Sequence, residues 1–93
     1  MTSSLLYTRV FSAISNIQQP YSIAYSLTRT DAPDGAVYGI MVSRERLGSA
    51  VCETMPNVSQ NEAEVRDMLQ FLYENAIDTE QVLDIVGDIV ARY

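Results

Sequence analysis

A run of alternating side chains at residues 21–28 constrains the fold of this chain most. Large apolar or aromatic residues occupy the odd positions, and small residues occupy the even positions. Successive side chains of a β-strand point to opposite faces, so this pattern predicts a strand with one buried face. The strand ends at Pro33-Asp34-Gly35, a combination typical of tight turns, and a second strand is predicted at 36–43. Together these segments predict a β-hairpin.

Two further segments extend the predicted sheet. Residues 44–48 are predicted as a polar connection that closes on Gly48. Residues 49–55 are predicted as a third strand, which Pro56 ends because proline has no N–H to donate to a strand ladder. We therefore expect an antiparallel meander over residues 21–55.

The N-terminal segment fits two interpretations. Its apolar residues from Leu6 to Ile17 recur at the spacing of one helix face. Its first half also alternates between apolar and polar residues, as a strand does, and we favour a strand at 4–13. Residues 1–20 are thus the part of the chain that the pattern leaves open, and the sheet has three or four strands accordingly.

Two helices are predicted after the sheet, and each begins at a capping box. In this motif the first side chain accepts from an N–H of the first turn, and a Glu or Gln three residues later bonds back to the first residue. The boxes are Ser59–Glu62 and Asp78–Gln81. Helical spacing gives the first helix an apolar face of Val65, Met68, Leu69, Leu72, Tyr73 and Ala76. The second helix is expected to bury Val82, Leu83, Val86, Ile89, Val90 and Tyr93.

The link between these helices is too short to do anything other than reverse the chain, so residues 59–93 are predicted to form an αα-hairpin. Its apolar faces need a partner, and the apolar face of the meander supplies one. At 93 residues the chain is expected to be a single domain over 1–93. The predicted fold class is α+β, an antiparallel meander of three or four strands with a C-terminal helical hairpin packed on one face.

Charge is divided unevenly between these two layers. Residues 1–59 hold four acids and four arginines, whereas residues 60–93 hold eight acids and two arginines. The whole net charge of −6 therefore belongs to the predicted helical part. A negative balance without a basic cluster argues against direct nucleic-acid binding, because that affinity comes largely from neutralising phosphates. It favours a basic protein surface as the partner.

The chain lacks the residue types from which most catalytic and metal sites are built. It has no histidine, and Cys52 is its only cysteine. These residues assemble neither a nucleophile–histidine pair nor a zinc site, and the glycines match no phosphate-binding motif. We expect a protein that is not an enzyme and uses no cofactor or metal. With no apolar run near the ~20 residues that span a bilayer, we also expect no membrane segment and a cytoplasmic location.

Two groups of acidic residues supply the candidate binding site. In the second predicted helix, every fourth position carries an acid, so the carboxylates recur every ~6 Å, similar to phosphates along a nucleic-acid strand. In the first helix, Phe71 lies off the apolar face among acids. An exposed aromatic ringed by carboxylates is typical of a hot spot that faces a basic partner. The candidate residues are Glu64, Asp67, Phe71, Glu74, Glu80, Asp84 and Asp88.

Less specific interpretations also fit these features. The acidic row fits a solvated face that keeps the protein in solution. Phe71 would be buried if segment 4–17 folded over it. Arg44 and Arg46, in the predicted connection, are expected to be ordinary surface charges.

Three motifs carry a resemblance to a known family. They are Tyr38-Gly39-Ile40, the helix end Glu74-Asn75, and the run Val82-Leu83-Asp84-Ile85-Val86. In the same order of strands and helices, they resemble a family of short Firmicutes proteins defined only as a domain of unknown function. The resemblance covers residues 21–92 and leaves 1–20 outside. It implies the fold described above and no catalytic residues.

The composition is similar to that of anti-CRISPR inhibitors from phages and mobile elements, which are small, acidic and non-enzymatic. Such inhibitors often occlude the basic nucleic-acid channel of a CRISPR nuclease. We accordingly expect a protein-binding module, most concretely an acidic, nucleic-acid-mimicking inhibitor of a bacterial nucleic-acid-handling enzyme such as an RNA-guided nuclease. The alternative is an intracellular accessory or structural protein that forms a homodimer through its sheet, using the Tyr38, Ile40 and Val42 face or an edge strand.

Overall fold

A computed structural model describes residues 2–11, 20–46 and 48–91, which form four strands and two helices. The elements are β1 (Thr2–Phe11), β2 (Tyr21–Ala32), β3 (Gly35–Arg46), β4 (Ser49–Ser59), α1 (Glu62–Glu74) and α2 (Val82–Ala91). The strands form one antiparallel sheet in the order β1-β2-β3-β4. This architecture confirms the predicted α+β fold, a meander followed by two helices.

The β2–β3 hairpin is longer than the sequence pattern predicts. The strands pair up to a two-residue turn at Pro33 and Asp34, so the predicted turn is confirmed. The predicted connection at 44–48 is wrong, because residues 44–46 continue β3 and pair with β4. Pairing with neighbouring strands outweighs the polar composition of this segment, since strand preference depends mainly on context.

β4 passes through Pro56 instead of ending there, which corrects the predicted strand end. Its register with β3 shifts between Tyr38 and Ile40, where Gly39 faces bulged residues of β4. A proline fits such a bulge on an edge strand, because the ladder does not use its missing N–H. A Cβ on Gly39 would overlap the Met55 carbonyl oxygen and lie 2.6 Å from Pro56 Cα. The glycine therefore permits the close approach of the two backbones.

The N-terminal segment is a strand within the described chain. β1 spans Thr2–Phe11 and pairs antiparallel with β2, with an irregularity between Leu5 and Tyr7. The favoured strand interpretation is correct for residues 4–11, and the helix alternative is wrong there. The last two predicted strand residues, 12 and 13, lie outside the described residues.

The core lies between one face of the sheet and both helices. α1 packs across the sheet, and α2 packs mainly over β4. The buried members are Ile23, Tyr25, Leu27, Ile40, Val42, Val65, Met68, Leu69, Leu72, Ile77, Val82 and Val86. Because Ile40 and Val42 belong to this core, the sheet face that the sequence offered for homodimerisation is covered by the protein's own helices.

α1 begins two residues later than the predicted capping box requires. Its N-cap is Asn61, whose side-chain oxygen accepts from the N–H groups of Ala63 and Glu64. Ser59 supports this cap from outside the helix, since its hydroxyl oxygen accepts from the Asn61 N–H at 3.0 Å. The predicted Ser59–Glu62 box is therefore wrong, because β4 extends to Ser59 and leaves Asn61 as the residue that turns into the helix.

The start of α2 uses only half of its predicted capping box. Gln81 Oε1 accepts from the Asp78 N–H at 3.4 Å, as a box requires. The Asp78 carboxylate does not cap the helix, because it accepts from the Thr79 N–H at 2.6 Å and from Arg44. The helix proper begins at Val82.

The buried side of α2 is rotated from the predicted one. Val82 and Val86 are buried, and Ile85 and Ile89 pack against the core. Leu83 and Val90, which were predicted to be buried, are 47% and 40% exposed. Tyr93, the last residue of the predicted face, lies outside the described residues.

Candidate functional site

Helix α1 carries four candidate residues on the side away from its buried face. Asp67 and Glu74 are exposed. Gln70 donates its side-chain N–H to the Glu74 carboxylate at 3.0 Å, which holds that side chain along the helix surface. The third acid, Glu64, is half-buried, and its carboxylate accepts from the Ser59 hydroxyl at 2.8 Å.

Phe71 remains 44% exposed on this helix. It follows Glu64 by almost two full helical turns, so the two side chains share one flank. Because Glu64 is hydrogen-bonded to Ser59 at the end of β4, this flank of α1 faces β4, the strand over which α2 packs. The predicted aromatic side chain among acids is therefore present on the surface.

The N-terminal strand packs on the opposite flank of α1. Tyr7 of β1 stacks on Tyr73 of α1, with their ring centroids 4.8 Å apart. Strand β1 thus leaves Phe71 uncovered, and the interpretation in which segment 4–17 buries this ring is wrong for residues 4–11.

The predicted acidic row on the second helix is only partly present. Asp84 and Asp88 are exposed one helical turn apart on α2. Glu80 precedes the helix, and its carboxylate lies 3.8 Å from Arg44 Nη1. The prediction of three evenly spaced carboxylates on one helix is therefore wrong. Helix α2 begins after Glu80, and Arg44 lies beside the Glu80 carboxylate.

Four of these carboxylates are exposed and have no arginine within ion-pairing distance among the described residues: Asp67, Glu74, Asp84 and Asp88. We call these four residues together with Phe71 the acidic surface. Its charges are exposed and have no arginine partner within the described chain, so a cationic partner would find carboxylates that are not neutralised by a described ion pair.

Arg44 has a structural role that the sequence pattern did not predict. Its guanidinium lies 3.1 Å from the Asp78 carboxylate, and the two side chains are only 20% and 25% exposed. This pair links β3 to residues 75–81, which we call the linker between the helices. The expectation that Arg44 is an ordinary surface charge is therefore wrong.

Two other sheet residues hold the same end of the helical layer. Arg9 of β1 donates from Nε and Nη2 to the Tyr73 carbonyl oxygen, at 3.1 and 2.9 Å. Tyr25 of β2 donates its hydroxyl to the Ile77 carbonyl oxygen at 2.9 Å. Arg9 thus adds side-chain donors to a carbonyl in the last turn of α1, and Tyr25 satisfies a carbonyl of the linker that follows the helix.

Burial defines the chemistry of Tyr25. Its side chain is fully buried, and burial raises the pKa of Tyr25 to about 12. The phenol therefore stays protonated at neutral pH and acts as a hydrogen-bond donor to the Ile77 carbonyl in the linker.

No group of three or more Cys, Asp or Glu side chains within 2–11, 20–46 and 48–91 is arranged to hold a metal ion. Cys52 is exposed on β4, with Thr54 Oγ1 at 3.8 Å from its sulfur.

Neither helix in the described part of the chain combines the length and apolar character that a membrane crossing needs.

A groove beside α2 was not predicted from the sequence. It has a volume of about 450 Å³ and is lined by Met55, Pro56, Asn57, Val58, Gly87 and Val90. We call it the edge groove, because β4 is an edge strand of the sheet. The sequence signal that could have revealed it is Gly87, a glycine within a helix whose other non-acidic residues are all apolar.

The fold and surface define a two-layer α+β protein whose helical layer is acidic. The chain belongs to the family described as Family of unknown function (DUF6514), which matches residues 8–92. This match extends further toward the N-terminus than the resemblance over 21–92 and includes the last four residues of β1. No curated protein and no solved structure matches the chain.

Proposed function

We propose that the protein is a non-enzymatic binding module whose acidic surface contacts a basic protein. The observation that supports this most is the exposed Phe71 ring on the same helix as Asp67 and Glu74, neither of which pairs with a described arginine. An aromatic anchor supplies contact area at low entropic cost, and carboxylates around it steer a cationic partner. Asp84 and Asp88 extend the charge onto the second helix.

The most concrete form of this proposal is an anti-CRISPR-like inhibitor. Its target is a nucleic-acid-handling enzyme of a bacterium, such as an RNA-guided nuclease, whose channel is basic in order to hold phosphates. The carboxylates take the place of phosphates, and Phe71 anchors the complex. On this proposal the chain acts in the cytoplasm, its origin is a phage or mobile element of a Firmicutes host, and it touches no nucleic acid itself.

The test is inhibition of DNA cleavage by a panel of purified RNA-guided nucleases. We expect the full chain to inhibit at least one of them at 50 mM salt and to lose most inhibition at 500 mM, because screening weakens contacts between exposed charges. The triple variant Asp67→Asn/Asp84→Asn/Asp88→Asn and the single variant Phe71→Ala should each weaken inhibition at least tenfold.

A matched control separates the acidic surface from net charge. The variant Asp31→Asn/Asp34→Asn/Glu45→Gln removes the same number of charges from the β2–β3 hairpin and should inhibit like the unmodified chain. Equal loss in both triple variants would show that only total charge matters. A chain that inhibits no nuclease in the panel would reject the inhibitor form of the proposal.

A second candidate function is that of a homodimeric accessory protein. Leu5 and Val10, on the edge strand β1, are the two most exposed of the large apolar side chains among the described residues. An edge strand with exposed apolar residues is a surface on which a second copy can pair. Light scattering would report a dimer that persists at high salt and that Val10→Lys disrupts, whereas a monomer at all concentrations would reject this candidate.

A further inference from the structure

Gly87 is not explained by any contact within the described chain. It lies inside α2, where glycine is less favourable than alanine because it loses more backbone freedom on folding. Apart from the adjoining residues and backbone of α2 itself, a Cβ added at this position would meet no atom within 4 Å. No neighbouring element therefore requires the missing side chain, and the space beside Gly87 opens to the outside.

Gly87 lies in an apolar strip that continues into the edge groove. Leu83 and Val90 are on the same side of α2, at four residues before and three after Gly87, and both are substantially exposed. Four consecutive residues of β4 line the other side of the groove: Met55, Pro56, Asn57 and Val58. A concave apolar surface with a glycine at its rim allows the backbone of another element to approach closely.

Charge indicates what kind of element would lie there. Viewed down the axis of α2, Asp84 and Asp88 lie about 60° and 100° from Gly87, on the side away from Leu83 and Val90. Both are exposed and free of described arginines. An occupant that places an apolar side in the groove would thus have its outer flank beside two carboxylates, which favours lysine or arginine there.

The geometry also indicates a helix more than a strand. An added strand would need to pair with β4, but Pro56 has no N–H and the bulge around it interrupts the ladder. A helix needs no backbone bonds to the groove and presents an apolar stripe with charged flanks.

We propose that the edge groove binds a basic amphipathic helix of a partner protein. The apolar stripe of that helix fills the space between Val90 and Pro56, its backbone crosses α2 at Gly87, and its cations meet Asp84 and Asp88. The inference rests on the proposed function because both require a basic partner. It adds a second contact surface, formed by β4 and α2 without residues of α1.

The probe is a synthetic 18-residue helix with a leucine stripe flanked by lysines, titrated into the isotopically labelled full chain. We expect the amide resonances of Met55, Asn57, Val58, Gly87 and Val90 to shift most. A peptide with glutamates in place of the lysines, and a scrambled lysine peptide, should each bind at least tenfold more weakly.

Variants of the groove distinguish this inference from the proposed function. Gly87→Leu and Val90→Asp should weaken the lysine peptide at least tenfold, and Gly87→Ala, which the fold accommodates, should weaken it about threefold. Asp34→Asn and Glu45→Gln, on the β2–β3 hairpin and outside both the edge groove and the acidic surface, should leave peptide affinity unchanged.

Three outcomes overturn the inference. The first is that shifts appear on α1 and not in the groove, so that groove variants have no effect while the acidic surface still binds. The second is that the scrambled peptide binds equally well. The third is that the groove resonances shift with protein concentration alone, which would identify a second copy of this chain as the occupant.

Discussion

Gly39 has the least freedom to change among the glycines of this protein. Its missing side chain makes room for the Met55 carbonyl and for Pro56 where β4 bulges. We expect Gly39→Ala to lower the free energy of unfolding by about 3 kcal/mol, because backbone atoms relax poorly around an inserted methyl group. Urea unfolding followed by circular dichroism measures the change.

Gly87→Ala is the matched control for this substitution. No atom lies within 4 Å of the added Cβ, so alanine should stabilise α2 by about 1 kcal/mol. If both variants were destabilised equally, the close approach at Gly39 would not be the reason for its effect.

Ala76 occupies a backbone conformation that favours glycine. Its φ of 50° lies in the left-handed region, and the N–H groups of Ala76 and Ile77 bond to the Tyr73 and Leu72 carbonyls in the pattern of a helix C-cap. We expect Ala76→Gly to raise the free energy of unfolding by about 1 kcal/mol, which denaturant titration would report. A loss of stability would mean that the methyl group contributes more through packing than its conformation costs.

Tyr25 should make the protein less stable at alkaline pH. Its pKa is raised to about 12 by burial, above the ordinary value of 10.0. Between these values the unfolded chain releases the phenol proton while the folded chain keeps it, so stability is full below pH 10 and falls toward pH 12. Unfolding titrations from pH 8 to 12 should show this decrease, and Tyr25→Phe should show a smaller one.

The Arg44–Asp78 pair connects two elements, so we expect it to contribute to stability. With side chains only 20% and 25% exposed, the charges are partly desolvated, and removing one leaves the other without its partner. A double-mutant cycle with Arg44→Gln and Asp78→Asn should give a coupling energy of about 1–2 kcal/mol.

The chain contains a matched control for this cycle. Arg29 and Asp31 also lie 3.1 Å apart, but their side chains are 54% and 82% exposed. Because solvent screens such a pair, Arg29→Gln and Asp31→Asn should show no measurable coupling. Comparable coupling in both cycles would contradict the idea that burial gives the Arg44 pair its strength.

Local sequence patterns predicted which strands and helices form better than they predicted where each one begins and ends. Alternation identified β2, and 3.6-residue spacing identified the buried face of α1 correctly at Val65, Met68, Leu69 and Leu72. The side of α2 was misplaced because almost every non-acidic residue of that helix is apolar, so spacing alone did not choose between Ile85 and Leu83. The choice is made by contact with β4, which the linear pattern does not contain.

The candidate site was predictable to a similar extent. The exposure of Phe71 followed from its offset from the apolar face. The pairing of Arg44 with the linker was not predictable, because it joins residues 34 positions apart that only the folded sheet brings together. The edge groove depends on a bulge at Pro56, which the sequence alone had suggested as a strand end.

At the scale of the whole molecule, the negative charge of the helical layer should make stability depend on salt. Like charges one turn apart repel, and added salt screens them. We expect the midpoint of thermal unfolding to rise between 10 mM and 500 mM NaCl. Asp84→Asn/Asp88→Asn should raise the low-salt midpoint and flatten this dependence.

The hairpin provides the control for this experiment. The variant Asp34→Asn/Glu45→Gln changes the net charge equally but leaves the helical layer intact, so its salt dependence should match that of the unmodified chain. An identical flattening in both double variants would assign the effect to overall charge and not to the helices.

The bonds from Arg9, Tyr25 and Arg44 to the end of α1 and the linker have a consequence for biosynthesis. Arg9 cannot bond to Tyr73 until the ribosome has added 64 more residues. Translation proceeds at about 5–20 residues per second. Until then the nascent sheet has no helices over its apolar face. Residues 2–59 therefore leave the ribosome with the apolar face of the meander uncovered, and that face becomes buried only after the two helices have been synthesised.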